Sequence, residues 1–390
     1  MSVTSRRVLL VIFALLAGMA ALLAALLPGA IEAGMNRVRP HELPAVGAVA
    51  RDLHTSVPVA DLHADSLLWT RDLLERASRG HLDVPRMIEG GMALQVFTAA
   101  TVAPMGQNYE GNERGLDPLT ALVVVQRWPL RTWLSPMERA MYQAEKLADL
   151  ERRAGGRFRL IRNRGDLQGL LAERAGGESV VGGIFGIEGG HALEGDLSNL
   201  ERLDAAGLRV VGLTHFFDNR LGGSLHGMSR DGLTDFGRRV VVEAVRRGMI
   251  VDVAHASPAM VREVLAISDR PVILSHGGFR GACDTARNLD DDLMREIAAH
   301  GGLVGVGFWD GAVCDITPEG VVRSLRYGID LMGVDHVALG SDWDGGTEVS
   351  FDAGELPALT QAMLDAGFSA EEIRKVLGGN AVRFLLENLP

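Results

Sequence analysis

Asp61-Leu62-His63-Ala64-Asp65 closes a short apolar run and sets His63 and Asp65 two residues apart. On an extended segment residues i and i+2 project to the same side, so one strand can offer a metal an imidazole and a carboxylate together. Comparable groups end other apolar runs: Gly186-Ile187-Glu188-Gly189-Gly190-His191, Leu213-Thr214-His215, Val253-Ala254-His255, Leu274-Ser275-His276 and Gly340-Ser341-Asp342-Trp343-Asp344. A lone histidine in such a place reads first as a core imidazole bonded to backbone. His63, Asp65, Glu188, His255 and His276 together read as a shared metal site. Five N/O ligands are too many for one tetrahedral ion and suit two if a carboxylate bridges them. Two ions about 3.5–4 Å apart hold a water between them and lower its pKa toward 7, which makes hydroxide available as a nucleophile. Such ligation suits two Zn2+, with Mn and Fe left open by ligand softness.

These groups must be brought to one place by the elements that carry them. Eight apolar runs recur along the chain: Val57–His63, Met92–Thr101, Val180–Gly186, Leu208–His215, Met249–His255, Pro271–His276, Gly302–Phe308 and His336–Asp342. Their continuous hydrophobicity suits parallel strands buried on both faces. Helix-period stretches lie between them, among them Asp235–Arg247, Pro258–Ile267, Leu289–His300 and Pro318–Met332. Strand and helix alternating eight times predict a (β/α)8 TIM-type barrel, whose active site sits at the C-terminal mouth of the strands. Of the 48 glycines, the pairs Gly182-Gly183, Gly189-Gly190, Gly277-Gly278 and Gly345-Gly346 are expected where backbone turns closely around that site.

The N-terminus is a different object. Arg6 and Arg7 precede Val8–Leu27, a run without a polar side chain that ends at Pro28 and Gly29. Twenty residues at 1.5 Å rise span about 30 Å, a bilayer core. The run predicts an uncleaved transmembrane anchor, with the catalytic domain outside the cytoplasm, periplasmic or extracellular. Secretion after signal cleavage is the alternative. The organisation expected is therefore an anchor or signal over 1–28, a juxtamembrane linker and barrel lead-in over 29–56, and one hydrolase domain over 57–390. With 39 Lys plus Arg against 50 Asp plus Glu, the net charge of −11 argues against nucleic acid. The two cysteines, Cys283 and Cys314, exclude a Cys-rich zinc ribbon. Whether they pair depends on their Cα atoms coming within about 7 Å, which the sequence leaves open.

In order, His63-Ala64-Asp65, Glu188-Gly189-Gly190-His191, Thr214-His215, Asp252-Val253-Ala254-His255, Ser275-His276, Arg287-Asn288 and Gly340-Ser341-Asp342 resemble the renal or membrane dipeptidases. The resemblance runs from about Val57 to Leu386. It implies a distorted (β/α)8 barrel with a binuclear zinc centre, dipeptide substrates and a homodimer. By that resemblance Glu188 bridges, His63 and Asp65 complete one metal's ligands, and His255 with His276 the other's. His215 falls on the substrate-binding histidine, Arg287 on the substrate-carboxylate arginine with Asn288 beside it, and Asp342 on the catalytic aspartate.

The chemistry can be followed from the side chains themselves. Peptide hydrolysis needs an activated water, a clamp on the carbonyl oxygen and a proton for the leaving amine. A metal ion helped by His215 is expected to stabilise the oxyanion, and Asp342 to take the water's proton and pass it to the amine. Arg287 is expected to hold a free α-carboxylate bidentately, which would restrict the enzyme to dipeptides; the plainer reading is a contact with Asp290-Asp291-Asp292. Asp344 and His191 read either as orienting ligands or as inert loop residues. Residues 107–136, with Tyr109, Trp128 and Trp133, read first as packing over the barrel exterior and second as a wall or lid of the cleft. Ala64 stands where the family commonly has a polar residue, so side-chain and L/D preferences stay open. Another metal-dependent hydrolase of this barrel type, acting on a lactone or other amide, is the alternative. Those enzymes usually open with His-x-His and often add a carboxylated lysine, and no lysine occurs between Lys146 and Lys375. A non-catalytic binding protein would have lost ligands, and none is missing.

Overall fold

The computed structural model describes Arg7, Ile12, Phe13, Gly18, Met19 and residues 25–390. Eight parallel strands form its centre: β1 (Val59–Ala64), β2 (Met92–Ala100), β3 (Val181–Glu188), β4 (Leu208–Gly212), β5 (Ile250–Asp252), β6 (Ile273–Gly277), β7 (Leu303–Val306) and β8 (Val337–Leu339). They pair in the order β2-β1-β8-β7-β6-β5-β4-β3, and β2 returns to β3 from Leu94↔Gly182 to Ala100↔Glu188, which closes the barrel. Every strand predicted from the apolar runs is present, although several end early. β5 stops at Asp252 because His255 has left extended backbone for φ 60°.

Outer helices follow the strands where predicted: Asp235–Arg246, Pro258–Ile267, Asp291–Ala299 and Pro318–Met332. Thr234, Ser257 and Thr317 cap three of them by accepting from a first-turn amide, satisfying a donor that has no partner within the helix. Leu94, Val96, Ile184, Ile250 and Ile273 from successive strands cluster with Phe384 and Leu385 of the last helix, Asn380–Asn388. That helix closes the end of the barrel where strands begin, since Arg270, just ahead of β6, donates to the Asn388 carbonyl. The other end is left for chemistry. Gly182-Gly183, expected at a turn near the site, lies inside β3 instead, where a side chain would run into Leu170 and Phe158.

Most of the expected anchor Val8–Leu27 falls outside the described residues. Among the described residues no helix is long and apolar enough to cross a membrane. The stretch expected as a linker is packed in place. Residues 25–35 are helical through Pro28 and Gly29, and Glu32 on that helix is fully buried between Arg71 and Arg79. Asn36 then accepts from the Gly346 amide, and Arg37–Val38 pairs in parallel with Glu348–Val349.

Cys283, after β6, is bonded to Cys314, after β7, across a Cα separation of 5.6 Å. Around it Thr285 donates to Gly311, and the Asn288 amide donates to the Cys283 and Ala312 carbonyls. Two loops at the barrel mouth are thereby held as one unit. Closing a loop of 31 residues removes unfolded-state entropy worth roughly 3–4 kcal/mol. The variant with both cysteines changed to serine should unfold at a distinctly lower denaturant midpoint; an unchanged midpoint would remove the cross-link from the account of stability.

Candidate metal centre and substrate cleft

The five expected ligands meet over the strand ends. From His63 Nε2 the distances to Asp65 Oδ2 and Glu188 Oε1 are both 3.5 Å. His255 Nε2 and His276 Nε2 lie 3.3 and 3.5 Å from that same Glu188 oxygen. Ligand atoms held about 2.0–2.1 Å from a tetrahedral ion are about 3.3 Å apart, so these separations fit shared coordination. His215 Nε2 reaches the other Glu188 oxygen at 3.3 Å, and Glu188, His215 and His255 also form a compact triplet, as do His63, Asp252 and His276.

The electrostatics call for cations. Asp65, Glu188 and Asp342 are buried together. Burial first, and the Asp65 charge second, push the Glu188 carboxyl well above its usual value. Burial, reinforced by Asp65 and opposed by His63, carries Asp342 up to about 7. Burial would lower His63, yet Asp65, Glu188 and Asp342 raise it to about 10, which registers the negative potential of the site. His255 and His276 are held well below their ordinary value, mainly by burial, and are neutral imidazoles with lone pairs to donate. This donor set fits divalent metal ions.

Local backbone and neighbours aim these groups. Glu188 ends β3 and is followed by Gly189 at φ 86°, where a Cβ would lie 2.6 Å from His191 Nδ1. His255 and Asp342 occupy left-handed backbone at φ 60° and 59°, a strain of order 1–3 kcal/mol each of the kind found at functional sites. A side chain at Gly345 would overlap the Asp342 carboxylate. Ser275 Oγ stands 3.2 Å from His63 Nδ1 and 2.9 Å from His276 Nδ1, so its two lone pairs can accept from both rings and leave both Nε2 atoms facing the centre.

His215 departs from expectation. Its Nδ1 donates to the Val102 carbonyl at 3.1 Å, and burial brings it down to about 4. Nε2 therefore carries a lone pair at neutral pH and accepts or ligates; it has no proton for an oxyanion. Arg287 is buried beside the cluster, not on the acidic run, where Asp290 instead pairs with Arg280. The guanidinium lies over the Trp309 ring at 5.3 Å and donates to the His276 carbonyl. No carboxylate of the described residues is within salt-bridging distance, and its Nε has no partner. Asn288, expected to bind substrate, faces away from the cleft and fastens the disulfide loop. Asp344 accepts from Ser66, Arg71 and the His81 amide, fixing the loop that carries Asp342. His191 lines a separate depression beside Arg220 and touches none of the ligands.

A cleft of about 680 Å3 opens over the cluster. Gln107, Tyr109, Leu119, Leu122 and Val125 line it, so the segment 107–136 is a cleft wall and not only an outer layer. Its helix Pro118–Val125 is apolar nearly all round and lays Leu119 and Leu122 against Leu68 and Trp69. Tyr109, within the segment expected second as a wall, has its hydroxyl accepting from Trp309 Nε1 at 2.8 Å, and Trp309 is a wall residue that the sequence did not single out. Its sequence signal is its place directly after the seventh run, Gly302–Phe308, where an indole carries no metal-ligating group.

An eight-stranded parallel α/β barrel with clustered imidazoles and carboxylates at its mouth is the arrangement of a metal-dependent hydrolase. A sequence model of the membrane dipeptidase family (peptidase family M19) matches residues 48–388, and the chain belongs to that family. Among curated proteins it is 28% identical to the dipeptidase aclJ of Aspergillus oryzae, over 89% of this chain and 84% of that one. A solved metallopeptidase, the dipeptidase AC of family M19, superposes with a TM-score of 0.70 at 28% identity, covering 85% of this chain and 99% of that one. A metallopeptidase from Rhodobacter sphaeroides, bound to a phosphinate mimic of the dipeptide L-Ala-D-Ala, gives 0.70 at 28% identity, with 86% and 99% covered. The protein is a metallo-dipeptidase of this family.

Groups that orient ligating histidines typically contribute 10–100-fold to metal affinity. Ser275→Ala should weaken metal retention by that factor in competition with a chromophoric chelator; unchanged retention would sink the ring-orienting role of Ser275.

Proposed function

We propose that the protein cleaves the peptide bond of unblocked dipeptides at a centre of two Zn2+. His63, Asp65 and Glu188 would hold one ion, and Glu188, His255 and His276 the other. The observation that carries this reading is Arg287, a buried guanidinium without a carboxylate partner, set beside a His/carboxylate cluster in one cleft. The ions would supply an acidified water and polarise the scissile carbonyl. Arg287 receives the α-carboxylate through its free N–H groups, backed by Trp309 and Tyr109. A longer peptide would present an uncharged amide there, and a desolvated cation would go unpaired at a cost of several kcal/mol. His215 accepts from a substrate N–H through Nε2. Asp342, 3.9 Å from His63 Nε2, takes the proton of the attacking water and returns it to the leaving amine.

We extend the reading to a homodimer anchored by the apolar run, with its barrel outside the cytoplasm. Arg6 and Arg7 ahead of that run support this orientation, and a Cys283–Cys314 bond suits an oxidising compartment.

Elemental analysis of metal-supplemented protein should find about two ions per chain, and chelation should abolish dipeptide cleavage. One ion or none, or chelator-resistant cleavage, would overturn the binuclear reading. Asp342→Asn should lower kcat by about 10²–10⁴-fold, with metal content followed alongside; near-normal turnover would exclude Asp342 from proton transfer. Arg287→Met should raise KM for free dipeptides far more than for C-terminally amidated ones, and equal effects on both would dismiss the carboxylate clamp.

A further inference from the structure

The cleft is larger and more apolar than a small dipeptide requires. Its volume of about 680 Å3 falls in the range of about 300–1,000 Å3 that encloses drug-sized ligands, whereas the smallest dipeptides have about ten non-hydrogen atoms. Its polar lining comprises the metal cluster and Arg287, together with Gln107, Tyr109, Asp310, Thr347 and Glu348. Beyond them the walls are Ile31, Met35, Leu68, Leu119, Leu122 and Val125. Two of these, Ile31 and Met35, come from the helix over 25–35, which precedes the family match at residue 48.

That helix is built in. Its Glu32 is buried against Arg71, and Arg71 in turn holds Asp344. Ile31 packs on the cluster that contains Leu68, Trp69, Leu119 and Leu122. The Met35 methyl lies 3.2 Å from where a Cβ on Gly346 would be, next to Gly345 and the Asp342 carboxylate. Ile31 and Met35 therefore line the cleft, Ile31 half-buried and Met35 at its solvent-exposed edge.

Strand order decides which part of a substrate meets this compartment. Arg287 and Trp309 follow β6 and β7, whereas Leu68 follows β1 and Leu119 with Leu122 follows β2. In the closed order of strands β2 lies opposite β6, which sets Leu119 and Leu122 across the mouth from Arg287, whereas β1 is separated from β7 by β8 alone. This step rests on the proposed dipeptidase reading. A dipeptide with its carboxylate on Arg287 and its scissile carbonyl at the cluster extends its N-terminal residue over β1 and β2.

We propose that Ile31 and Met35, with Leu68, Leu119, Leu122 and Val125, form a compartment for a large apolar side chain on the residue N-terminal to the scissile bond. They make this chain selective for dipeptides that begin with a bulky apolar residue. Burial of a phenylalanine-sized side chain is favourable by an amount that corresponds to about tenfold or more in kcat/KM.

The test uses the full chain, loaded with zinc, and compares kcat/KM for Phe-Ala and Ala-Ala. The ratio should be at least tenfold for the natural sequence and should fall to within about threefold of unity in the Ile31→Ala, Met35→Ala variant. Ile31→Trp, which fills the compartment without emptying the packing beneath it, should bring the ratio below unity, mainly through KM. A natural-sequence ratio near unity, or a ratio unmoved by either variant, overturns the compartment while leaving the dipeptidase reading intact. Failure to cleave any free dipeptide overturns both.

Discussion

Three carboxylates buried within a few ångströms of one another, Asp65, Glu188 and Asp342, are the constraint around which this molecule is organised. Unbalanced, they would repel, lose their hydration and take up protons. Three neighbouring imidazoles are held neutral by the same burial, so they add lone pairs and no positive charge. Arg287 is a permanent cation buried beside them; burial lowers its pKa, an effect that Tyr109, Asp342 and Glu188 oppose. Cations bound among the ligand atoms remove the repulsion and convert an electrostatic liability into a catalytic centre.

The barrel makes such a cluster affordable in conformational terms. Parallel strands deliver side chains from distant parts of the chain to one mouth, and the groups that aim them are short and local. Ser275 serves two histidines, while Gly189 and Gly345 leave room where any Cβ would collide. Behind the Asp342 loop lies a further ionic layer in which Asp344 meets Arg71, and Arg71 meets Glu32. Burial alone would raise Asp344, yet Arg71 and His81 bring its carboxyl below the ordinary value. Breaking such a buried pair by removing one partner typically costs 3–5 kcal/mol, so the loop that presents Asp342 is tied to the helix over 25–35.

How far the sequence revealed this depended on the kind of signal. The eight strands and the convergent ligands were legible because buried parallel strands write continuous apolar runs, and chemistry writes polar residues at their ends. The pairing of Cys283 with Cys314 was not, since spacing says nothing about Cα separation across two loops. Asn288 stood next to Arg287 in a motif, but adjacent side chains on a loop point in different directions, and only one of them faces the cleft. His215 was legible as a site residue and illegible in its tautomer, which is set by a carbonyl 113 residues away. The role of residues 25–35 was hidden for a different reason. An apolar stretch ending in Pro28 and Gly29 looks finished, yet residues 25–35 are helical through both, and Glu32 reads as solvated until Arg71 is placed beside it.

The cleft divides two tasks between its ends. In the proposed reading the Arg287 guanidinium, lying over the Trp309 ring at the β6–β7 side, recognises charge and direction, and the disulfide fastens the loops that carry both residues. Charge recognition fixes orientation, but it adds modest net affinity once desolvation is counted. At the β1–β2 side, apolar walls offer affinity without direction, in proportion to the surface they remove from water. A substrate held at one end by charge and at the other by burial has its scissile bond confined to the ligand cluster between them. Positioning of that kind lowers the entropic part of the barrier before any bond changes. In that proposed division the N-terminal helix belongs to the apolar end, to which it contributes Ile31 and Met35.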